Sequence, residues 1–425
     1  MRSHLPDLTP LRESPAYRAV YAGFTLSNIG SQMAVVAIGL QVYDITGSTA
    51  SVGLVGLFAL VPLVILGLYG GSLSDHHDRR LVALAATLVA WGTSLVAAAQ
   101  AWLGNTSVLV LYAIVAVWSG AFAVSSPART SIYPRILPMA QLPAANALSV
   151  FAMNTSMTVG PLLAGLLIDT GGYKAAYTVD TALTLAAVLG LLRLGPIPPD
   201  HGDDGSVRRA GLRSVVDGFR FLGTAPNVRM TFVADITAMV LAQPRVLFPA
   251  AGAVILGGGA RTVGALYAAT AVGGILAMLF SGRLGAVRRQ GAAILVSIVG
   301  WGVGIVGLGV ALLGAGGVLT PDQAVVGALV AMGVAGAADS VSAVFRTTIL
   351  QSAAPDRMRG RLQGVFIVVV AGGPRLGELL GGAVAERIGE GWTAVAGGIA
   401  CIVVIGVLAL RHPRFVRYDA RHPTP

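Results

Sequence analysis

The chain is short of cysteine, lysine and charge of either sign. Its one cysteine, Cys401, lies in an apolar run, so neither a disulfide framework nor a cysteine metal cluster is available. Its one lysine, Lys174, follows Tyr173, so no Gly-Lys-Ser/Thr phosphate loop exists, which argues against an internal ATPase. Five of the six histidines, His76, His77, His201, His412 and His422, fall in loops or tails without metal-ligand spacing, and no metal or other cofactor is expected. Gly302-Val-Gly304-Ile-Val-Gly307 has dinucleotide-like spacing, but no strand precedes it and the run is apolar, so it reads as a packing face. Charged residues make up 11% of the 425 residues and hydrophobic ones 55%, with a mean hydropathy of +0.76. No soluble domain hides that much apolar surface, and the composition indicates a polytopic membrane protein. The net charge of +10 does not imply nucleic-acid binding, because the arginines cluster at the ends of the apolar runs.

Runs of about 20 apolar residues span a bilayer as helices. Twelve are expected, at 19–42, 51–73, 81–101, 107–128, 144–168, 175–194, 229–254, 262–281, 291–314, 322–346, 363–385 and 392–410. The first is too long for a cleaved signal peptide, whose apolar core needs only about 7–15 residues. Of the 29 basic residues, 23 fall on alternate loops that include both termini, against Lys174, Arg261 and Arg387 on the others. Basic loops stay inside, so both termini are expected in the cytoplasm.

The chain also repeats itself. Ser51-Val-Gly-Leu matches Thr262-Val-Gly-Ala, and Gly71-Ser-Leu matches Gly282-Arg-Leu, both at an offset of 211. Ala128-Arg-Thr-Ser-Ile matches Phe345-Arg-Thr-Thr-Ile, and Gly160-Pro-Leu-Leu-Ala-Gly matches Gly377-Glu-Leu-Leu-Gly-Gly, both at 217. The order and offset predict two pseudo-symmetric six-helix bundles, over 1–194 and 229–425, in an all-α membrane protein. The linker, 195–228, opens with Pro196, Pro198 and Pro199. It then places Leu212, Val215, Val216, Phe219 and Leu222 at helical spacing, as an interfacial amphipathic helix would.

Gly71-Ser-Leu-Ser-Asp-His-His-Asp-Arg-Arg80 resembles the loop between helices two and three of the major facilitator superfamily, usually Gly-x-Leu-x-Asp-Arg-x-Gly-Arg-Arg. His76 and Asp78 depart from it, which puts the usual charge pairing of the loop in question. Gly71, Asp75, Arg79 and Arg80 are read as a latch, with Asp75 facing the N-terminus of a helix. Its counterpart in the second half is Ala286, so the latch is expected to be asymmetric. The stretch from Arg129 to Leu148 resembles the enterobactin-exporter-like branch, as do Arg245-Val-Leu-Phe-Pro, Gln351 to Arg361 and Gly372-Gly-Pro-Arg-Leu-Gly-Glu378. Gly160-Pro161 followed by Ala164-Gly165 resembles the exporter element Gly-Pro-x-x-Gly-Gly, with the proline as a helix bend.

Ionisable residues inside a membrane are costly and mark function by default. Arg375 and Glu378 share a helix face. With Asp235 and Asp180 they are the proton-coupling candidates; a static pair holding helices together is the alternative. Asp339 and Arg346 read as a gating or structural pair, with Arg129 at the equivalent place in the first half. Asn28, Gln32, Gln41, Trp118, Phe122, Asn154 and Arg245 are candidates to line a substrate cavity, or else to bond and pack between helices.

The resemblance implies a secondary transporter rather than an enzyme. On it the expected protein is a monomeric exporter in the bacterial cytoplasmic membrane. It would move a siderophore or drug-like amphiphile by rocking two halves about a central cavity, in exchange for protons. An uncoupled lipid or amphiphile carrier and a transport-inactive membrane scaffold are the alternatives. Nucleic acid is not an expected partner.

Overall fold

A computed structural model describes residues 7–198, 212–279, 284, 287–353, 356–422 and 424. Within its helices, the side chains of 68–76, 212–216, 218, 356–361, 363–364, 366–368 and 371 are outside the description. The described chain is helical apart from two isolated bridges, as lipid demands of a backbone that must satisfy its own hydrogen bonds. The main helices are α1 (Pro15–Thr46), α2 (Thr49–His76), α3 (Arg79–Trp102), α4 (Val108–Ile136), α5 (Leu142–Leu192), α6 (Leu212–Thr224), α7 (Pro226–Leu241), α8 (Gly259–Leu279), α9 (Gln290–Gly314), α10 (Pro321–Ala353), α11 (Asp356–Ile388) and α12 (Glu390–Arg411).

Among the described residues, ten helices are long and apolar enough to cross a membrane. The expected spans 144–168 and 175–194 lie in the single element α5, which bends at Gly172, where φ is +71° and only glycine is at ease. The expected span 363–385 lies within the charge-bearing α11, which is not among the ten.

The expected helix over 229–254 requires correction. It ends at Leu241 and resumes as a 3-10 turn Arg245–Leu247, a single turn Phe248–Ala250 and a π turn Ala251–Ile255. Pro244 and Pro249 each lack an N–H and clash with the preceding turn, so a continuous helix is disfavoured. Trp301 of α9 satisfies the break by donating its Nε1–H to the Ala242 carbonyl at 3.1 Å.

Two compact units emerge, and the division falls within α1 and α2. The first comprises 1–41 and 58–211, the second 42–57 and 212–425. In the first, α1 meets α5 through glycines. A Cβ on Gly23 would lie 2.5 Å from the Ala186 carbonyl, one on Gly190 2.7 Å from Ala19, and one on Gly160 2.6 Å from the Gln32 Cβ. Small residues permit this approach where no hydrophobic effect drives helices together in lipid. Aromatics gather near the start of α1: Tyr17 stacks on Tyr21 and meets Tyr133 edge-on, the Tyr17 hydroxyl donates to the Ala145 carbonyl and the Tyr21 hydroxyl to the Leu148 carbonyl. In the second unit, Gly336 of α10 abuts the Thr270 carbonyl of α8. Gly302 and Gly309 of α9 face the Gly398 and Gly391 carbonyls of α12, and Gly304 faces α10. The glycine spacing at 302–307 therefore packs helices.

Candidate functional site

The second unit gathers charges from four separate segments. Arg346 of α10 forms an ion pair with Asp235 of α7 and, through its other nitrogen, with Asp339 two turns earlier on the same face of α10, at 3.2 Å. Asp235 is buried, whereas the Asp339 side chain is 39% exposed. The sequence reading had assigned Asp235 to proton coupling and Arg346 to a gate with Asp339. Folding makes them one triad. Arg245 sits in the 3-10 turn after the break in α7, not in a continuous helix, because the prolines interrupt the run. It acts electrostatically on Asp339 and on Tyr267 of α8, yet forms no ion pair among the described residues.

Arg375 and Glu378 on α11 form an ion pair at 3.0 Å, as their spacing predicts. Both also act on Tyr267, whose ring meets Phe248 edge-on at 4.8 Å. The pair lies against the start of α2. A Cβ on Gly53 would stand 2.6 Å from the Glu378 carbonyl, and one on Gly56 2.9 Å from its Oε2. Beyond it, Ser48 donates to Glu386 at 2.8 Å and Thr49 to Glu390 at 2.6 Å. Gly53 and Gly56 were missed in the sequence; their spacing of three was the available signal. Asp235, Asp339 and Glu378 thus face Arg245, Arg346 and Arg375. The six charges balance, but only two of the arginines are engaged in ion pairs among the described residues. The cluster is chemically suited to take an anionic group at Arg245 and to let carboxylates exchange partners.

In the first unit Asp180 is buried to 2% exposure, where Thr184 donates to its Oδ1 at 3.2 Å and the Ser94 hydroxyl also reaches it. Among the described residues no cation pairs with it, and a Cβ on Gly30 of α1 would stand 2.5 Å from its Oδ1. Near it runs a neutral network of which the sequence reading had singled out only Gln41. Tyr177 donates to Gln41 at 2.8 Å, and Gln41 and Gln100 exchange bonds at 3.1 Å. Trp118 and Phe122 stack at 5.7 Å on α4, with Phe122 exposed, while Asn28, Gln32 and Asn154 are half-buried. Pro161 is continuous with helix α5, and its neighbour Gly160 is where α5 touches α1.

Of the expected latch, the side chains of Gly71 and Asp75 lie outside the described residues. Arg80 donates to the Leu191 and Leu192 carbonyls at 3.0 and 3.2 Å, and the Arg79 backbone N–H to Ile197. Asp78, which departs from the motif, caps α3: its Oδ1 accepts from Arg80 and Leu81 N–H at 2.8 and 3.1 Å, and its Oδ2 from Ile197 N–H at 2.9 Å. It thereby ties the loop to the end of α5. Arg129 rests on the Phe24 ring, 4.6 Å from its centroid, whereas its repeat partner Arg346 holds two carboxylates.

Comparison with known proteins agrees with this architecture. Residues 6–423 match the family described as transmembrane secretion effector. A protein of Shigella boydii named enterobactin exporter EntS is 29% identical over 96% of this chain and 94% of its own length. Its namesake in Escherichia coli K12 is 28% identical over 99% and 96%. Among solved structures, the nucleoside transporter NupG superposes with a TM-score of 0.65 at 16% identity, covering 95% of this chain and all of that one. A POT family transporter in complex with 5-aminolevulinic acid gives 0.72 at 10% identity, covering 95% and 97%. At such identities the structural likeness establishes the fold alone. With the family match spanning almost the whole chain, the protein belongs to the transmembrane secretion effector family of the major facilitator superfamily, and is a multi-pass membrane transporter, not an enzyme.

Proposed function

We propose that this chain exports small amphipathic molecules bearing an anionic or phenolic group, siderophores among them. It works by alternating access of one site to the two sides of a bacterial cytoplasmic membrane, as a monomer, in exchange for protons. The observation that carries the reading is Arg245, a cation at a helix break beside Tyr267 and Phe248, with no ion pair among the described residues. An arginine that closes no ion pair among the described residues, near a tyrosine, fits an amphiphile with a negative head. The relatives named as enterobactin exporters support the same substrate class. Purified protein in proteoliposomes is expected to catalyse enterobactin counterflow. A hydrogen bond to a charged group contributes about 1.5–3 kcal/mol, so Arg245→Gln should raise the half-saturating concentration about 10- to 100-fold. No counterflow by the wild type would point to the scaffold reading, and unchanged saturation in the variant would remove Arg245 from the site.

The loop charges support cytoplasmic termini. Native Cys401 is buried, so single cysteines can be read cleanly in whole cells. Cysteines at Leu103 and Val318, both highly exposed in loops, should react with an impermeant thiol reagent, and those at Arg193 and His422 should not. The reverse pattern would invert the topology.

A further inference from the structure

The basic residues after α12 do not trail away from the fold. Phe415 and Tyr418 are buried, at 1% and 3% exposure, and seat the tail on the second unit. The Ala420 N–H donates to the Arg288 carbonyl at 3.0 Å, Asp419 bridges to Arg289 in an antiparallel pairing, and the Arg288 guanidinium meets the Asp419 carboxylate at 2.7 Å. The Phe415 carbonyl sits directly over Gly291, where any side chain would collide. Farther on, Asn227 at the start of α7 donates to the Thr424 carbonyl and hydroxyl at 3.2 and 3.0 Å. The Arg421 N–H and the Arg288 guanidinium hold the Asp419 carboxyl below its usual range. A depressed carboxylate contributes stability above its unfolded value and loses it as pH falls through the folded one, so the clasp stays closed at neutral pH.

Docking in this way joins two arginine-bearing segments more than 120 residues apart in sequence into one surface. Arg288, Arg289, Arg411, Arg414, Arg417 and Arg421 are all exposed there. Among the described residues only Arg288 has a carboxylate partner. Arg411 is the last residue of α12 and Arg289 caps the start of α9, both helices long and apolar enough to span a bilayer. The surface therefore sits at headgroup depth, whichever leaflet that is. We propose that the docked C-terminal tail and residues 287–289 ahead of α9 form a preformed binding platform for anionic phospholipid headgroups. Apart from Arg288, its arginines have no carboxylate partner among the described residues, and the buried Phe415 and Tyr418 seat the tail, so little backbone ordering entropy remains to be lost on binding.

The test titrates the full-length protein in detergent micelles with phosphatidylglycerol and reads the melting temperature. A rise is expected with phosphatidylglycerol and none with phosphatidylcholine. Each basic residue near an anionic surface contributes enough that losing three should raise the half-saturating lipid fraction about 100-fold in R414Q/R417Q/R421Q. The charge-preserving R414K/R417K/R421K should titrate like wild type, and Phe415→Ala, which unseats the tail, should weaken binding although every arginine remains. The proposal is overturned if the glutamine variant titrates like wild type, if the lysine variant loses as much as the glutamine one, or if inorganic phosphate at matched concentration gives the same rise.

Discussion

Replacing Arg346 with glutamine is expected to lower the stability of the protein by about 3–5 kcal/mol, the usual cost of breaking a buried ion pair from one side. The reason lies in the unequal burial of its two partners. Asp235 is enclosed, its side chain 6% exposed, and without Arg346 it would be left buried with its ion-pair partner gone. Asp339 is less enclosed, and Asp339→Asn leaves Arg346 paired with Asp235, so that variant should cost less than Arg346→Gln. The double variant Asp235→Asn/Arg346→Gln removes both buried charges and should regain much of what Arg346→Gln loses. Thermal unfolding in detergent of the three variants checks the ordering. If Arg346→Gln melts with the wild type, the triad does not hold α7 to α10.

The second large effect concerns coupling. One unit of pH gradient can concentrate a substrate about tenfold per proton exchanged, because one unit corresponds to about 1.36 kcal/mol. On the proton-exchange reading proposed above, Glu378 is the candidate to use it. It is paired with Arg375 at 3.0 Å while lying against Gly53 and Gly56, so any movement of α2 relative to α11 changes its surroundings. A carboxylate that loses its arginine in a low-dielectric site favours its protonated form, and regains the charge when the pair re-forms. Glu378→Gln should therefore bring the accumulation ratio in proteoliposomes with an imposed pH gradient down to about one, while leaving counterflow exchange in place. Asp180→Asn provides the control. Asp180 lies among Ser94, Thr184, Tyr177 and the Gly30 backbone, with no arginine among the described residues to exchange with. Accumulation that survives Glu378→Gln and fails in Asp180→Asn would move the coupling site to the first unit.

The close approach at Gly53 and Gly56 shows why the site was only partly legible. A pair three residues apart on one helix is fixed by helical geometry, so Arg375–Glu378 could be read directly. The meeting of Asp235 with Arg346, 111 residues later, depends on the rotation of two helices and could not. Asp78 is a similar case. It looked like a loss from the loop motif, yet at the start of α3 a short carboxylate satisfies two free N–H groups, and it stands there as a cap.

By itself, the sequence determined that this is a polytopic helical membrane protein with an internal repeat and with arginine concentrated at the ends of its apolar runs. Those properties follow from chain-local quantities: run length against bilayer thickness, and the cost of placing charge in lipid. The interruption of α7 was also written locally, in Pro244 and Pro249, although the length of the apolar run concealed it. Only the tertiary structure decided which acid each arginine holds, and that the C-terminal tail folds back on Arg288. Nothing in lipid tells one apolar helix face from another, so partners are chosen by backbone approach at glycines and by the few polar groups that must find each other.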